Sequence, residues 1–219
     1  MEFRKSTVRE YFESIITVAI IALFVTTFVV QAFKIPTGSM ESNLLIGDHL
    51  LVNKYVYSPA AGFISRILPY NEPQYGDVVV FKYPDKPEVA YVKRLIGMPG
   101  DRVEMVGRSV YINGQELAED YTQHTDPGSI HAHYGPFHVP ENHFFTLGDN
   151  RDNSQDSRFW GFVPREYFLG RAFMIYWSFE TSRDEYLRTS PMDRLKRYAD
   201  VFLNFFTKTR WNRTFKIIE

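Results

Sequence analysis

Between Ile15 and Phe33 the chain carries only Thr17, Thr26, Thr27 and Gln31 as polar side chains, and this run constrains the fold more than any other stretch. As a single helix it would reach about 28 Å, close to the hydrocarbon thickness of a bilayer. Arg4, Lys5 and Arg9 lie before it, against Glu2, Glu10, Glu13 and a trailing Lys34. The positive-inside bias therefore places residues 1–14 in the cytoplasm and the chain beyond residue 33 on the opposite face. Val30-Gln31-Ala32 would suit a signal-peptide cleavage site, but the run exceeds an ordinary signal-peptide core. A buried soluble helix is the remaining alternative. The expectation is a retained, single-pass anchor over 15–33.

The rest of the chain alternates short apolar runs with turn signals. The runs are Leu50–Tyr57, Asp77–Tyr83, Val89–Ile96, Arg102–Val106, Ser109–Ile112, His143–Leu147 and Phe173–Phe179. Asn113-Gly114, Pro99-Gly100 and Asp126-Pro127-Gly128 supply turns. Aromatic residues at 16% favour strands, so residues 34–180 are expected to form a mainly β, antiparallel-sheet domain. Phe63, Ile64, Ile67 and Leu68, inside a Pro-punctuated stretch, are expected to pack under a loop rather than dip into lipid. In the tail, 181–219, Leu195, Tyr198, Val201, Phe202 and Phe205 recur near helical spacing and indicate an amphipathic helix associated with the membrane.

Composition narrows the chemistry. Twenty-five Lys plus Arg against 26 Asp plus Glu leave a net charge of -1, which argues against a nucleic-acid partner. The absence of Cys excludes disulfides, thiolate metal sites and a Cys nucleophile. His131, His133 and His138 could hold zinc, but their Gly/Pro-rich setting indicates a solvated loop.

Three segments remain. Ser39, in Pro36-Thr37-Gly38-Ser39-Met40, has an exposed hydroxyl on a constrained turn, where alone it would be structural. Lys93 and Arg94 are consecutive in a strand, so alternation turns one of them toward the core. Burial of Lys93 would lower its pKa and supply a neutral amine as general base, whereas a snorkelling or carboxylate-paired Lys93 would have no such role. Gly148 to Arg158 holds eleven residues without an aliphatic side chain. Its acidic spacing does not fit a calcium loop, and a polar network that orients a catalytic group suits it better.

Together these segments resemble the type I signal peptidases, a bacterial family of Ser-Lys dyad serine proteases. The shared boxes are P-[ST]-G-S-M at Pro36–Met40, G-D-x-V-V-F at Gly76–Phe81, Y-V-K-R-[LIV]-[IV]-G-x-P-G-D at Tyr91–Asp101 and G-D-N-R-D-N-S-x-D-S-R at Gly148–Arg158. The resemblance implies Ser39 as nucleophile and Lys93 as general base, with Ser154 orienting the amine. It further implies an oxyanion hole from the Thr37 hydroxyl and the Ser39 N–H, and a scaffold of Asp149, Arg94, Asp156 and Arg158. It implies removal of signal peptides from exported preproteins after an Ala-x-Ala pattern, with no metal or organic cofactor. The partners would be preprotein signal peptides and the lipid bilayer, near the export machinery. The enzyme would reside in the bacterial plasma membrane, with its catalytic domain on the outer face. The sequence departs from the family at Ser42-Asn43, where Pro-Thr is common. A self-cleaving repressor would need a DNA-binding domain in place of the anchor. An inactive membrane-anchored peptide-binding module would not need both Ser39 and Lys93.

Overall fold

The computed structural model describes residues 7–57, 71–188 and 190–218. Arg4 and Lys5 of the orientation argument, and the apolar group Phe63, Ile64, Ile67 and Leu68, lie outside the described residues.

The apolar run does not form one helix. Helix α1 covers Thr7–Phe24, a π-helical turn follows over Val25–Val29, and Val30–Lys34 is strand β1. The β-branched residues of this stretch explain the ending. Val25, Thr26, Thr27, Val29 and Val30 lose side-chain freedom in a helix and favour extended backbone. Thr26 Oγ1 also bonds back to the Ala22 carbonyl at 2.7 Å, a contact that tends to bend a helix. Beyond the turn, β1 pairs with β2 (Asp48–Asn53) from Val30↔Asn53 to Lys34↔His49. Sheet pairing therefore claims residues whose hydropathy alone assigns them to the anchor. Arg9, Glu10 and Glu13 fall inside α1, and among the described residues no helix is long and apolar enough to cross a membrane.

The remaining strands are β3 (Val78–Tyr83), β4 (Lys86–Gly97), β5 (Arg102–Val106), β6 (Ser109–Ile112), β7 (Gln115–Glu116), β8 (His133–His138), β9 (His143–Leu147), β10 (Val163–Pro164), β11 (Phe168–Ser178) and β12 (Lys216–Ile217). Among the described residues they make two antiparallel sheets. One runs β1-β2-β11-β3-β4-β9-β10 with β12 on β11, and the other runs β7-β6-β5-β8. The mainly β reading of residues 34–180 thus holds. Asn113 and Gly114 both have positive φ, +53° and +83°, as a tight two-residue hairpin turn requires. Helix α2 is the short turn Ser157–Trp160, and α3 covers Pro191–Lys208.

Apolar side chains collect in three buried clusters. Met40, Leu44, Leu50, Val52, Val80 and Ile175 pack under β1, β2 and β11. Val79, Phe81, Leu95 and Phe144 fill the centre of the large sheet. Ile96, Val103, Val110, Phe145 and Leu147 join the small sheet to the ends of β4 and β9. The first half of β4 is exposed and the second half buried. From Lys93 onward both faces of the strand are covered, so Lys93 and Arg94 are each only 2% exposed. Alternation required one buried cation; the covered sheet buries both.

Candidate active site

Ser39 lies in the turn that leaves β1. Ile35 extends the pairing with the β2 end through bonds to Asp48 and Gly47. The side chains of Met40 and Leu44 are buried on either side of the turn, and the Leu44 N–H donates to the Met40 carbonyl at 2.8 Å. Those two anchors hold the turn on the core and leave the Ser39 hydroxyl at the surface of a groove of about 1080 Å³. Residues 33–40 and residues 89–93 of β4 both line the groove, with residues from 124–134 and 151–159. Thr37, Ser154 and Arg158 line the same space.

Lys93 Nζ stands 2.5 Å from Ser39 Oγ. Burial lowers the Lys93 pKa to about 8, although the fields of Asp156 and Asp149 oppose the shift. At that pKa the amine is neutral in about a tenth of molecules at pH 7, where an ordinary lysine is neutral in fewer than about one in a thousand, and the neutral form can accept a hydroxyl proton.

The polar segment 148–158 holds the Ser39 turn. The Asn150 N–H donates to the Ser39 carbonyl at 3.1 Å, and Asn150 Nδ2 donates to the Gly38 carbonyl at 3.2 Å. Asp149 accepts from Arg94 Nε and Nη2, both at 2.9 Å. Asp156 accepts from Arg158 Nε and Nη2, both at 2.8 Å, and from the Gly148 N–H at 3.1 Å. Both pairs are almost fully buried. Removing one member of such a pair typically destabilises by about 3–5 kcal/mol, because the other is left charged in a dry interior. Ser154 Oγ is buried and makes no hydrogen bond among the described residues, while the Lys93 amine bonds to Ser39.

Several residues of this site escape sequence reasoning. Asn43 Nδ2 donates to Asp149 Oδ2 at 2.8 Å, and Ser42, at φ +104°, donates its hydroxyl to the Tyr121 carbonyl at 2.5 Å. The two residues that depart from the family pattern therefore tie the Ser39 turn to Tyr121 and Asp149. Glu119 forms a buried ion pair with Arg151, and Tyr121 lies under the Arg94 guanidinium at 3.9 Å. Only Ser42-Asn43 gave a signal beforehand, by being unusual. His131 lines the groove, and His133 Nε2 lies 3.2 Å from Glu104. The histidine segment is not a loop: it forms a 3₁₀ turn, Pro127–His131, and strand β8 paired to β5. Among the described residues no cluster of His, Asp or Glu could hold a metal ion.

A serine hydroxyl within hydrogen-bond reach of a buried amine, on a groove lined by a strand edge, is the arrangement that a serine peptidase with an amine base would need. The comparisons narrow the class. The model of the family described as signal peptidase, peptidase S26, matches residues 8–177. A probable signal peptidase I-2 of Synechocystis is 39% identical over 178 residues, covering 79% of this chain and 75% of its own. Signal peptidase I of Pseudomonas fluorescens is 36% identical over 77% of this chain and 72% of its own. Signal peptidase I of Aquifex aeolicus is 32% identical over 90% of this chain and 94% of its own. The chain belongs to the signal peptidase family, peptidase S26, as a type I signal peptidase, a serine endopeptidase that removes signal peptides.

Proposed function

We propose that Ser39 is the nucleophile and Lys93 the general base of this peptidase, and that it cleaves exported preproteins after small residues in an Ala-x-Ala pattern. The observation that carries this reading is the 2.5 Å contact between Ser39 Oγ and an amine that is 2% exposed. Neutral Lys93 takes the Ser39 proton while Oγ attacks the scissile carbonyl carbon. The oxyanion is met by the Thr37 hydroxyl and the Ser39 N–H. As the C–N bond breaks, the Lys93 ammonium returns its proton to the leaving amine. The neutral amine then deprotonates a water, which attacks the acyl carbonyl and releases Ser39. Ser154, unpartnered and lining the same groove, is the group left to orient the amine. Asp149, Arg94, Asp156 and Arg158 hold the backbone that carries these groups.

β9 pairs with β4 only from Arg94 onward, so the β4 edge at Val89–Val92 is open to an extended substrate. On such a strand the residues at minus one and minus three from the cleaved bond point the same way and can be read together.

The membrane reading belongs here too. None of the described residues of α1 is buried, and Ile15, Ile16, Val18, Ile20, Ile21, Leu23 and Phe24 are exposed. A water-soluble helix would bury such residues, so α1 from Ile15 onward, with Val25–Val29, is assigned to the bacterial plasma membrane. Residues 1–14 then face the cytoplasm, and the catalytic domain stands on the outer face near the export machinery.

The test is cleavage of a preprotein by the full chain in vesicles. Ser39→Ala and Lys93→Ala should each abolish it with the fold retained, and the double variant should be no worse than either single one, because the two groups act as a unit. Substantial cleavage by Ser39→Ala, or efficient cleavage after Leu or Phe at minus one, would overturn the reading.

A further inference from the structure

Helix α3 is set on the protein in the reverse of the usual orientation. Ser190 caps it, accepting from the Asp193 N–H at 3.2 Å, and Pro191 opens its first turn. An amphipathic helix ordinarily turns its apolar stripe to the core and its charges to water. Here the side that meets the protein is the polar one: Asp193, Arg197, Asp200, Asn204 and Lys208 are its half-buried positions, with Val201 among them. Arg197 reaches Glu185 at 2.5 Å, and Glu185 also receives Lys34 Nζ at 3.1 Å. The helix is thereby tied by charge to the end of β1.

The opposite side faces outward. Met192, Leu195, Tyr198, Phe202, Leu203 and Phe206 are between 60 and 83% exposed, and at about 100° per residue they form one continuous stripe. Scattered exposed apolar residues are ordinary on a protein surface; a contiguous stripe marks an interaction surface. The helix departs from regular geometry at Asn204, where Phe205 turns inward onto Trp177 while Phe206 stays out and stacks with the half-exposed Trp211 at 6.4 Å.

Charge identifies what covers the stripe. Arg194 and Lys196, both exposed, border it on its two sides, and no acidic residue falls on the outward half, since Asp193 and Asp200 lie on the inward half. Long cationic stems at the margins of an apolar face, with a tryptophan at one end, suit the boundary between phosphate headgroups and acyl chains. We propose that the outward face of α3 is a second membrane contact, lying in the interface of an anionic bilayer with Phe202, Leu203 and Phe206 in the apolar layer and Arg194 and Lys196 at the phosphates. It rests on the membrane reading of α1, which leads directly into β1. Two separated contacts would fix the tilt of the catalytic groove over the bilayer, where one helix alone would leave it free to swing.

The sequence has no Cys, so a single introduced thiol reports one position. The full chain, labelled with a fluorophore at Leu203→Cys, Ala19→Cys in α1 or Glu116→Cys in β7, is reconstituted in phosphatidylcholine vesicles containing phosphatidylglycerol and lipids with a quencher on the upper acyl chain. The expected result is loss of fluorescence at position 203 comparable with that at position 19 and none at 116, with the loss at 203 falling away when phosphatidylglycerol is omitted. Quenching at 19 without quenching at 203 would overturn the α3 contact and leave the anchor standing. Failure at both would overturn the anchor as well. Shielding of 203 from aqueous iodide without lipid quenching would assign the face to a protein partner, against the proposal.

Discussion

Gly148 offers the sharpest structural test of how the polar segment holds Ser39. Its φ is not in the left-handed region, so its requirement is for space rather than for conformational freedom. A Cβ added there would stand 2.2 Å from Ser154 Oγ, 2.5 Å from the Ser39 carbonyl oxygen and 2.6 Å from Ser154 Cβ. Even a close carbon–oxygen contact is about 3.3 Å, so the Ser39 backbone or the 148–154 segment must move by close to an ångström in Gly148→Ala. The Ser39 carbonyl is held by the Asn150 N–H at 3.1 Å, and any relief breaks or bends that bond. Overpacking of this kind destabilises by about 1–3 kcal/mol, and a shift of about 1 Å in a reacting group costs about a hundredfold in rate. Urea unfolding and initial rates of preprotein cleavage measure the two effects. Adding Ser154→Ala removes the shortest contact but leaves the Ser39 carbonyl in place, so the double variant should remain destabilised. Activity of Gly148→Ala within about twofold of the parent, or full recovery of stability in the double variant, would refute the packing argument.

Two further outcomes follow from the same geometry. Ser42→Pro, which moves the sequence toward the family pattern, should destabilise by more than about 1 kcal/mol in urea unfolding, because proline cannot reach φ +104° and the bond to the Tyr121 carbonyl is lost. Ser42→Gly, free at that φ, should lose far less. Ser154→Ala removes no hydrogen bond seen in the structure, so its unfolding midpoint should stay close to the parent's while kcat falls and the minus-one preference is unchanged. A large loss of stability with normal kcat would make Ser154 a packing residue.

How far the sequence anticipates this molecule depends on whether each feature is local. β5, β6 and β9 begin and end where the apolar runs do, since each run is bounded by its own turn residues. β1 is hidden inside the apolar run because hydropathy cannot distinguish a lipid-facing residue from one paired to β2. β8 is hidden by its His, Gly and Pro content, and only pairing with β5 makes it a strand. The burial of Lys93 is half legible: two adjacent cations in a strand force the question, but the covering of both faces of β4 answers it. The Glu119–Arg151 and Asn43–Asp149 contacts join residues far apart in the chain, with no spacing rule to connect them. The α3 periodicity is plain in the sequence, yet its outward orientation is set by Glu185 and its two cationic partners, which no periodicity encodes.

The central claim is that a buried, neutral Lys93 activates Ser39, and the pH dependence of kcat/KM for preprotein cleavage tests it most directly because it titrates the free enzyme. Desolvation holds the Lys93 pKa down to about 8. The protonated amine cannot accept the Ser39 proton, so activity must rise with pH through that value. The expected profile falls about tenfold per pH unit on the acid side, turns over near pH 8 and levels above it. A profile already level at neutral pH, with its acid limb near the ordinary carboxylate range of about 4, would contradict the amine base.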